Sequence, residues 1–216
     1  MKLLEAKERL AGVENIEFQV LFSEYNVDSI LIDKGKTGKL LERLIGLPAG
    51  STLLDFEDGE LKTNKAKANG HPKETMFISQ ISQRIDDLIN QIPFKESWIF
   101  KKIRNMLYLP VVKINPDPRK WYFLPCYHIN LNQQPELYRL LEEDFRNITN
   151  QINTNLEKNK DMLHTTSGKY IQIRTKDAKP YNAIYSKKLK RYVSDKNFAF
   201  YFKKEFMLKV QELNLK

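Results

Sequence analysis

The chain has 216 residues, of which 41% are hydrophobic and 11% aromatic, enough for a substantial core and too apolar for a disordered chain. Its formal net charge of +9 is placed late: from Asn150 onward 15 Lys and Arg face 6 Asp and Glu, whereas the residues before it balance at 21 and 21. No apolar run approaches the roughly 18 residues of a membrane span, the charged start at residues 1–9 lacks a secretory apolar region, and a single cysteine excludes an intrachain disulfide and a zinc-thiolate site.

These features predict a cytoplasmic globular protein whose basic last third meets a polyanion, with nucleic acid the natural candidate. Tyr170, Tyr181, Tyr185, Tyr192, Phe198 and Tyr201 are interleaved with that basic surplus and strengthen the reading. His71, His128 and His164 are scattered and offer no ligand spacing.

In chain order, residues 2–11 carry helix formers with Leu3, Leu4 and Leu10 and predict a first helix. Residues 15–32 alternate at Phe18, Val20 and Phe22 without committing to an element. A basic loop with Lys34, Lys36 and Lys39 follows. It is no phosphate loop, because Asp33 stands where the first glycine of that motif belongs and Leu40 follows Gly38-Lys39. Leu40, Leu41, Leu44 and Ile45 have helical spacing, stopped by Gly46 and Pro48. Glu42 rides on this helix, and its plainest role is a surface carboxylate paired with a nearby Arg or Lys.

Residues 53–63, Leu-Leu-Asp-Phe-Glu-Asp-Gly-Glu-Leu-Lys-Thr, are the stretch with the most chemistry. Asp58-Gly59 supplies turn residues, so the segment predicts two strands around a tight turn. Alternation along the second strand puts Glu60 and Lys62 on one face and Leu61 in the core. Asp55, folded back over the turn, would join that face. Two carboxylates beside an ammonium suit a hard cation such as Mg2+, which takes carboxylate and water oxygens. That is the donor set of metal-assisted phosphodiester hydrolysis, in which cation and lysine offset charge on the phosphate. The same string also suits a charged surface hairpin.

Residues 64–73 read as a loop, 75–81 as a strand, 83–92 and 98–105 as helices (the second basic, with Lys101 and Lys102), and 106–113 as a strand. The Asn115-Pro-Asp-Pro118 turn leads into a predicted buried strand at 121–127 that holds Cys126 as a packed thiol. Residues 135–156 give the clearest helix, with Pro135 at its start. Residues 170–176 alternate, turning Ile171 and Ile173 inward and presenting Gln172, Arg174 and Lys176 on the other face. Such a face can read base edges, since Arg and Lys donate to guanine O6 and N7; a half-exposed strand with solvated charges has the same pattern. An aromatic-basic strand at 199–204 and a helix at 205–213 close the chain, giving one α/β unit with two lobes and a cleft.

Several strings stand in the order found in a known family: Asp33-Lys-Gly with Gly38-x-Leu-Leu-Glu42, Ala49-Gly-Ser51 before Asp55-Phe56, Glu60-Leu-Lys-Thr63, Lys73-Glu-Thr-x-Phe77, Leu107-Tyr-Leu-Pro-Val111, Gly168-Lys-Tyr-Ile-Gln-Ile-Arg-x-Lys176 and Phe200-Tyr-x-Lys-Lys204. Across residues 33–204 the chain resembles the MutH mismatch-repair endonucleases and the related type II restriction endonucleases that cut GATC.

The resemblance implies a restriction-endonuclease-like PD-(D/E)XK fold over residues 1–216, a mixed sheet flanked by helices. One lobe at about 1–80 would carry the catalytic hairpin and one at about 81–216 the recognition strand, around a DNA cleft. It implies Mg2+-dependent hydrolysis at unmethylated GATC, most simply of restriction type. The alternatives are a strand-nicking repair enzyme acting with a MutL-like partner and a catalytically silent DNA-binding domain. Asp55, Glu60, Lys62 and Glu42 would be catalytic, with Asp55 and Glu60 as metal ligands. Lys34, Phe77, Lys101, Lys102, Arg174, Lys176 and Tyr201 would contact double-stranded DNA, the protein acting as a monomer or a DNA-induced dimer. The gap from Asp55 to Glu60 is shorter than the family's, leaving Glu57 or Asp58 as alternatives to Asp55. Thr175 replaces a typical proline, which bears on the methylation response.

Overall fold

The computed structural model describes residues 1–23, 36–47, 53–158, 165–176 and 181–214, a mixed α/β structure. The predicted loop carrying Lys34, the Ala49-Gly-Ser51 string and His164 lie outside the described residues. The chain divides into two compact units, the first comprising Met1–Glu74, Arg104–Asn130 and Leu208–Lys216, the second Thr75–Ile103 and Leu131–Met207.

The first unit is built on β3 (Asn105–Val112), a nearly continuous apolar run that is buried from Met106 to Val112. Such a strand needs partners on both sides. β1 (Glu60–Ala66) pairs with it in parallel, Glu60 opposite Met106 and Lys62 opposite Tyr108. β4 (Tyr122–Phe123) and β5 (Tyr127–Asn130) pair with it antiparallel along the other edge.

The single strand predicted at 121–127 is therefore two. Pro125 lies between them, and Pro110, which has no N–H, occupies the matching gap in β3, where its carbonyl accepts from Leu124 N–H at 2.9 Å. Cys126 sits in this break, not in a strand, with burial pushing its thiol up to about 12, so it is an unreactive packed group.

Three helices supply the apolar cover: α1 (Leu3–Ala11), α2 (Phe18–Leu21) and α3 (Lys36–Leu44). Leu3, Leu10, Phe18, Phe22, Leu41 and Ile45 pack with Leu61, Leu107 and Leu109 into one core. The alternation at Phe18, Val20 and Phe22 resolves as a helical turn: Phe18 and Phe22, four residues apart, are buried with rings 5.0 Å apart, and Val20 is 64% exposed.

The arm at 53–58 is a series of bends and not the predicted strand. Its backbone donates Phe56 N–H to Gly59 C=O at 2.9 Å and Glu57 N–H to Met1 C=O at 3.2 Å, while the Asp55 carboxylate accepts the Leu61 N–H at 2.9 Å. A side chain thus takes the place of a partner strand. Gly59 is needed here for space: a Cβ would meet Leu3 Cδ1 at 2.4 Å and the Asn105 carbonyl at 2.6 Å. At its other end β1 runs three residues past the predicted boundary, to Ala66, because Asn64 and Ala66 are buried against the length of β3.

The second unit holds the antiparallel sheet β2–β10–β7–β6, formed by β2 (Met76–Gln80), β6 (Thr166–Ser167), β7 (Ile171–Thr175) and β10 (Phe198–Phe202). α4 (Ile85–Ile89), α5 (Trp98–Ile103) and the 23-residue α6 (Pro135–Glu157) accompany it. α6 turns Leu137, Leu141, Phe145, Ile148 and Ile152 inward, and Phe145 stacks on Phe200 at 6.0 Å. β8 (Ile184–Ser186) and β9 (Arg191–Ser194) form a separate hairpin, and in α7 (Lys204–Asn214) Phe206 stacks on Phe202 at 3.9 Å. The predicted helices at 83–92 and 98–105 are shorter than their apolar spacing suggests. The first is a helical turn followed by α4, and the second ends at Ile103 because Asn105 begins β3.

Candidate active site and nucleic-acid interface

Residues 55–62 of the first unit hold three of the predicted catalytic groups. On β1, Leu61 belongs to the core, so its neighbours Glu60 and Lys62 share the opposite face, where Lys62 Nζ donates to Glu60 Oε1 at 2.5 Å. Glu60 is 1% exposed and the Lys62 side chain 14%. A pair this deeply desolvated is costly to hold unless further charge or hydrogen bonding compensates it. Asp55 is tied to the same strand through its bond to the Leu61 N–H.

Glu42 comes from α3. Gly38, one turn earlier, lies against Thr63 of β1, where an added Cβ would come within 3.8 Å of the threonine methyl. The Glu42 carboxyl is held above its usual range by burial first, then by the negative charge of Asp55, with Glu60 adding to it and Lys62 and Lys39 opposing. Its titration therefore places Glu42 in the field of the other three groups. Three carboxylates and one close lysine leave an excess of negative charge that a divalent cation would relieve. Among the described residues no three such side chains form a closed ligand set. A hard cation fits the donor chemistry as two carboxylates completed by water.

The alternatives to Asp55 are engaged elsewhere. Glu57 is exposed and accepts from the Met1 amino terminus at 2.9 Å, which holds its carboxyl low. Asp58 Oδ1 accepts the Leu3 N–H at 2.8 Å at the start of α1, and its carbonyl accepts from Asn105 Nδ2 at 2.9 Å. Both brace the turn against the first helix and against β3.

In the second unit, four of the predicted DNA-contacting residues meet on one sheet. Tyr201 of β10 stands in register with Phe77 of β2 on one side and Gln172 of β7 on the other. The Phe77 and Tyr201 rings meet edge to face at 5.7 Å. Arg174 lies 5.4 Å over Tyr201, and Lys176 Nζ lies 5.0 Å over Phe77. Arg174 also donates to Thr75 Oγ1 at 3.1 Å. Ile171 and Ile173 are fully buried, and Arg174, Thr175 and Lys176 are exposed, so the strand alternates as expected up to its last residues. The aromatic rings splay the two cations at fixed positions, an arrangement that positions donors for an anionic or base-edge acceptor. Lys101, exposed, and Lys102, half-buried, lie on α5 apart from this quartet's register.

Asp144, absent from the sequence-predicted set, positions β7. It is buried on α6 and accepts the N–H groups of Lys169 at 2.6 Å, Tyr170 at 2.6 Å and Ile171 at 3.0 Å. Gly168 leaves room for the carboxylate, since a Cβ there would lie 2.4 Å from it. The available signal was an acidic residue inside the apolar stripe of Leu141, Phe145 and Ile148.

A family model described as DNA mismatch repair enzyme MutH matches residues 47–144. That span holds Asp55, Glu60, Lys62 and Phe77. Proteins named DNA mismatch repair protein MutH from Haemophilus influenzae strains Rd and PittEE are 27% identical over 183 residues, 82% of this chain and 78% of theirs. The protein of that name from strain 86-028NP is 32% identical over 116 residues, 51% of this chain and 49% of its own.

Proposed function

We propose that this chain, which belongs to the MutH family and is a DNA endonuclease, hydrolyses phosphodiester bonds with Mg2+ at unmethylated GATC sites, as a restriction-type enzyme. The observation that carries the chemistry is the Lys62 ammonium bound to the buried Glu60 at 2.5 Å, with Asp55 tied to the same strand through the Leu61 N–H. Asp55 and Glu60 would hold the cation. Bound there, it would supply an acidified water and offset charge on the phosphate. Glu60 fixes the Lys62 ammonium at 2.5 Å, so the lysine reaches the phosphate with little rotamer freedom left to lose. From that position it offsets charge on the non-bridging oxygens and orients the attacking water by hydrogen bonding. Glu42 contributes its negative charge only when ionised, and its raised pKa makes that contribution grow with pH.

Base recognition would fall to Arg174 and Lys176, held over Tyr201 and Phe77, with Lys34, Lys101 and Lys102 contacting the DNA backbone. An adenine methyl group in the site would meet this aromatic-cation surface. The relatives are named for DNA mismatch repair, which favours a second reading as a repair enzyme; in that reading the chain would nick one strand with a MutL-like partner. One assay separates the two: supercoiled plasmid carrying GATC, methylated or unmethylated at adenine, is incubated with Mg2+ or with EDTA. Linear product from the protein alone on unmethylated plasmid supports restriction, and nicked circles formed only with a MutL-like protein support repair. Intact plasmid under every condition, with Mn2+ included, would leave only DNA binding.

A further inference from the structure

The β8–β9 hairpin has no part in the site described so far, and its surface is unusual for a two-stranded element. Ile184 and Val193 are fully buried, so the outward face falls to Tyr185 and Tyr192, which are register partners. These two tyrosines are 46% and 64% exposed and meet edge to face at 5.2 Å. The turn between the strands carries Lys187, Lys188 and Lys190, with Arg191 opening β9.

The hairpin is fixed at its turn. Asp86 on α4 accepts the Ser186 hydroxyl at 2.5 Å and the backbone N–H groups of Lys187 at 3.0 Å and Lys188 at 3.3 Å. The buried Ser186 oxygen in turn accepts the Leu189 N–H at 3.0 Å. Asp86 is thus engaged by the backbone and a hydroxyl as well as by the charge of Lys187, and it orders a turn whose Lys187, Lys188 and Lys190 are exposed residues, Lys188 Nζ reaching the Ile89 carbonyl at 3.5 Å. Lys190 closes the turn with φ of 53°, a left-handed conformation that a non-glycine residue rarely adopts.

The way the hairpin leaves the sheet decides its partner. β9 ends at Ser194, and three residues later the Asn197 carbonyl accepts the Lys176 N–H at 3.0 Å before Phe198 pairs with Thr175. The arm therefore springs from the end of β7 that carries Lys176. A polyanion that ran from Arg174 and Lys176 along the arm would meet the cations of its turn, and the tyrosine pair would offer it flat apolar surface for sugars or bases.

We propose that the β8–β9 hairpin is a second DNA-contacting arm, gripping the duplex backbone outside the base pairs read by β7 and contributing affinity without sequence choice. The inference rests on the reading of β7 as the recognition strand. Phosphate contacts of this kind position a protein on the duplex and make its affinity salt-dependent.

The test compares the full chain with its Lys187→Gln/Lys188→Gln/Lys190→Gln variant on two duplexes centred on GATC, one with flanks of a few base pairs and one with long flanks. The Asp86 bonds to this turn involve backbone and Ser186, and the amide introduced by Lys188→Gln can still donate to the Ile89 carbonyl that Lys188 Nζ meets at 3.5 Å, so the variant should keep its melting temperature. Wild-type protein should bind the long duplex more tightly than the short one. The variant should lose that gain, reduce the salt slope on the long duplex by about 2 to 3 (roughly 0.9 per lost phosphate contact), and bind and cut the short duplex as wild type does. An unchanged flank-length gain and salt slope in the variant overturns the arm, as does lysine-dependent binding to anionic phospholipid vesicles that matches binding to the long duplex. Absence of GATC preference on either duplex defeats the reading of β7 instead, and the arm is then judged by the salt slope on the long duplex.

Discussion

The acidic cluster of the first unit and the aromatic-basic face of the second use charge in opposite ways. Around β1 the charges are withdrawn from water: Glu60 is 1% exposed, Lys62 is pinned to it, and burial, with the negative charge of Asp55 and Glu60 adding to it, holds the Glu42 carboxyl above its usual range. Around β7 and β10 the cations are exposed and kept in place by aromatic rings. Buried charges interact strongly and respond to one another's ionisation, whereas exposed ones are screened and act through geometry and number. Under the proposed function, the first region would set rate and the second affinity with site choice. Substitutions in one should leave the other's property standing.

The largest effect should follow Asp55→Asn. The amide keeps an oxygen for the Leu61 N–H, so the turn survives, but it loses the charge for a cation. Single-turnover cleavage should fall on the order of 10³-fold, with DNA binding close to wild type. A fall in binding as large as the fall in rate would dissolve the distinction between the two regions.

Asp144→Ala should cost about 3 kcal/mol of stability by leaving buried N–H groups of residues 169–171 without their acceptor. Denaturant unfolding would measure this. In protein still folded, site choice should weaken more than cleavage of bound DNA.

Arg174→Ala should lose about 1–3 kcal/mol of discrimination between GATC and a singly altered site. Competitive cleavage of the two sequences reads it directly, and equal discrimination in wild type and variant would remove Arg174 from recognition.

The smallest effect sharpens the contrast through pH. Glu42 in the folded protein is raised above its ordinary 4.5. Folded protein therefore binds more protons than unfolded across the window from 4.5 to the raised value, and stability falls as pH climbs through it. Glu42→Gln should abolish that fall and, in EDTA at neutral pH, raise the melting temperature by about 2–4 °C for each 1 kcal/mol relieved. Added Mg2+ should narrow the gap. A pH profile of stability identical to wild type would show that neither burial nor the neighbouring carboxylates raise Glu42 in the folded protein.

Much of both regions was legible in the chain because periodicity reports burial. Leu3 with Leu10, Leu40 with Leu41, and the long stripe of α6 marked their helices, and alternation at Ile171 and Ile173 placed Arg174 on the open face. What failed to show was bonding between side chains and distant backbone. The Asp55 carboxylate takes a strand's place, which no local pattern encodes, so a hairpin was expected where only one strand forms. Asp144 reaches residues 25 to 27 positions away, and Asp58 caps a helix that begins 55 residues before it. Pro110 and Pro125 were visible, but only the pairing of β3 shows why they split one expected strand into β4 and β5.

The central claim is that residues 55–62 cut while the second unit chooses where. Lys62→Ala, assayed on a GATC duplex for binding and for Mg2+-dependent cleavage in the same buffer, tests it most directly. The account predicts affinity within about threefold of wild type and a rate lower by about 10³-fold. Cleavage at the wild-type rate would contradict it.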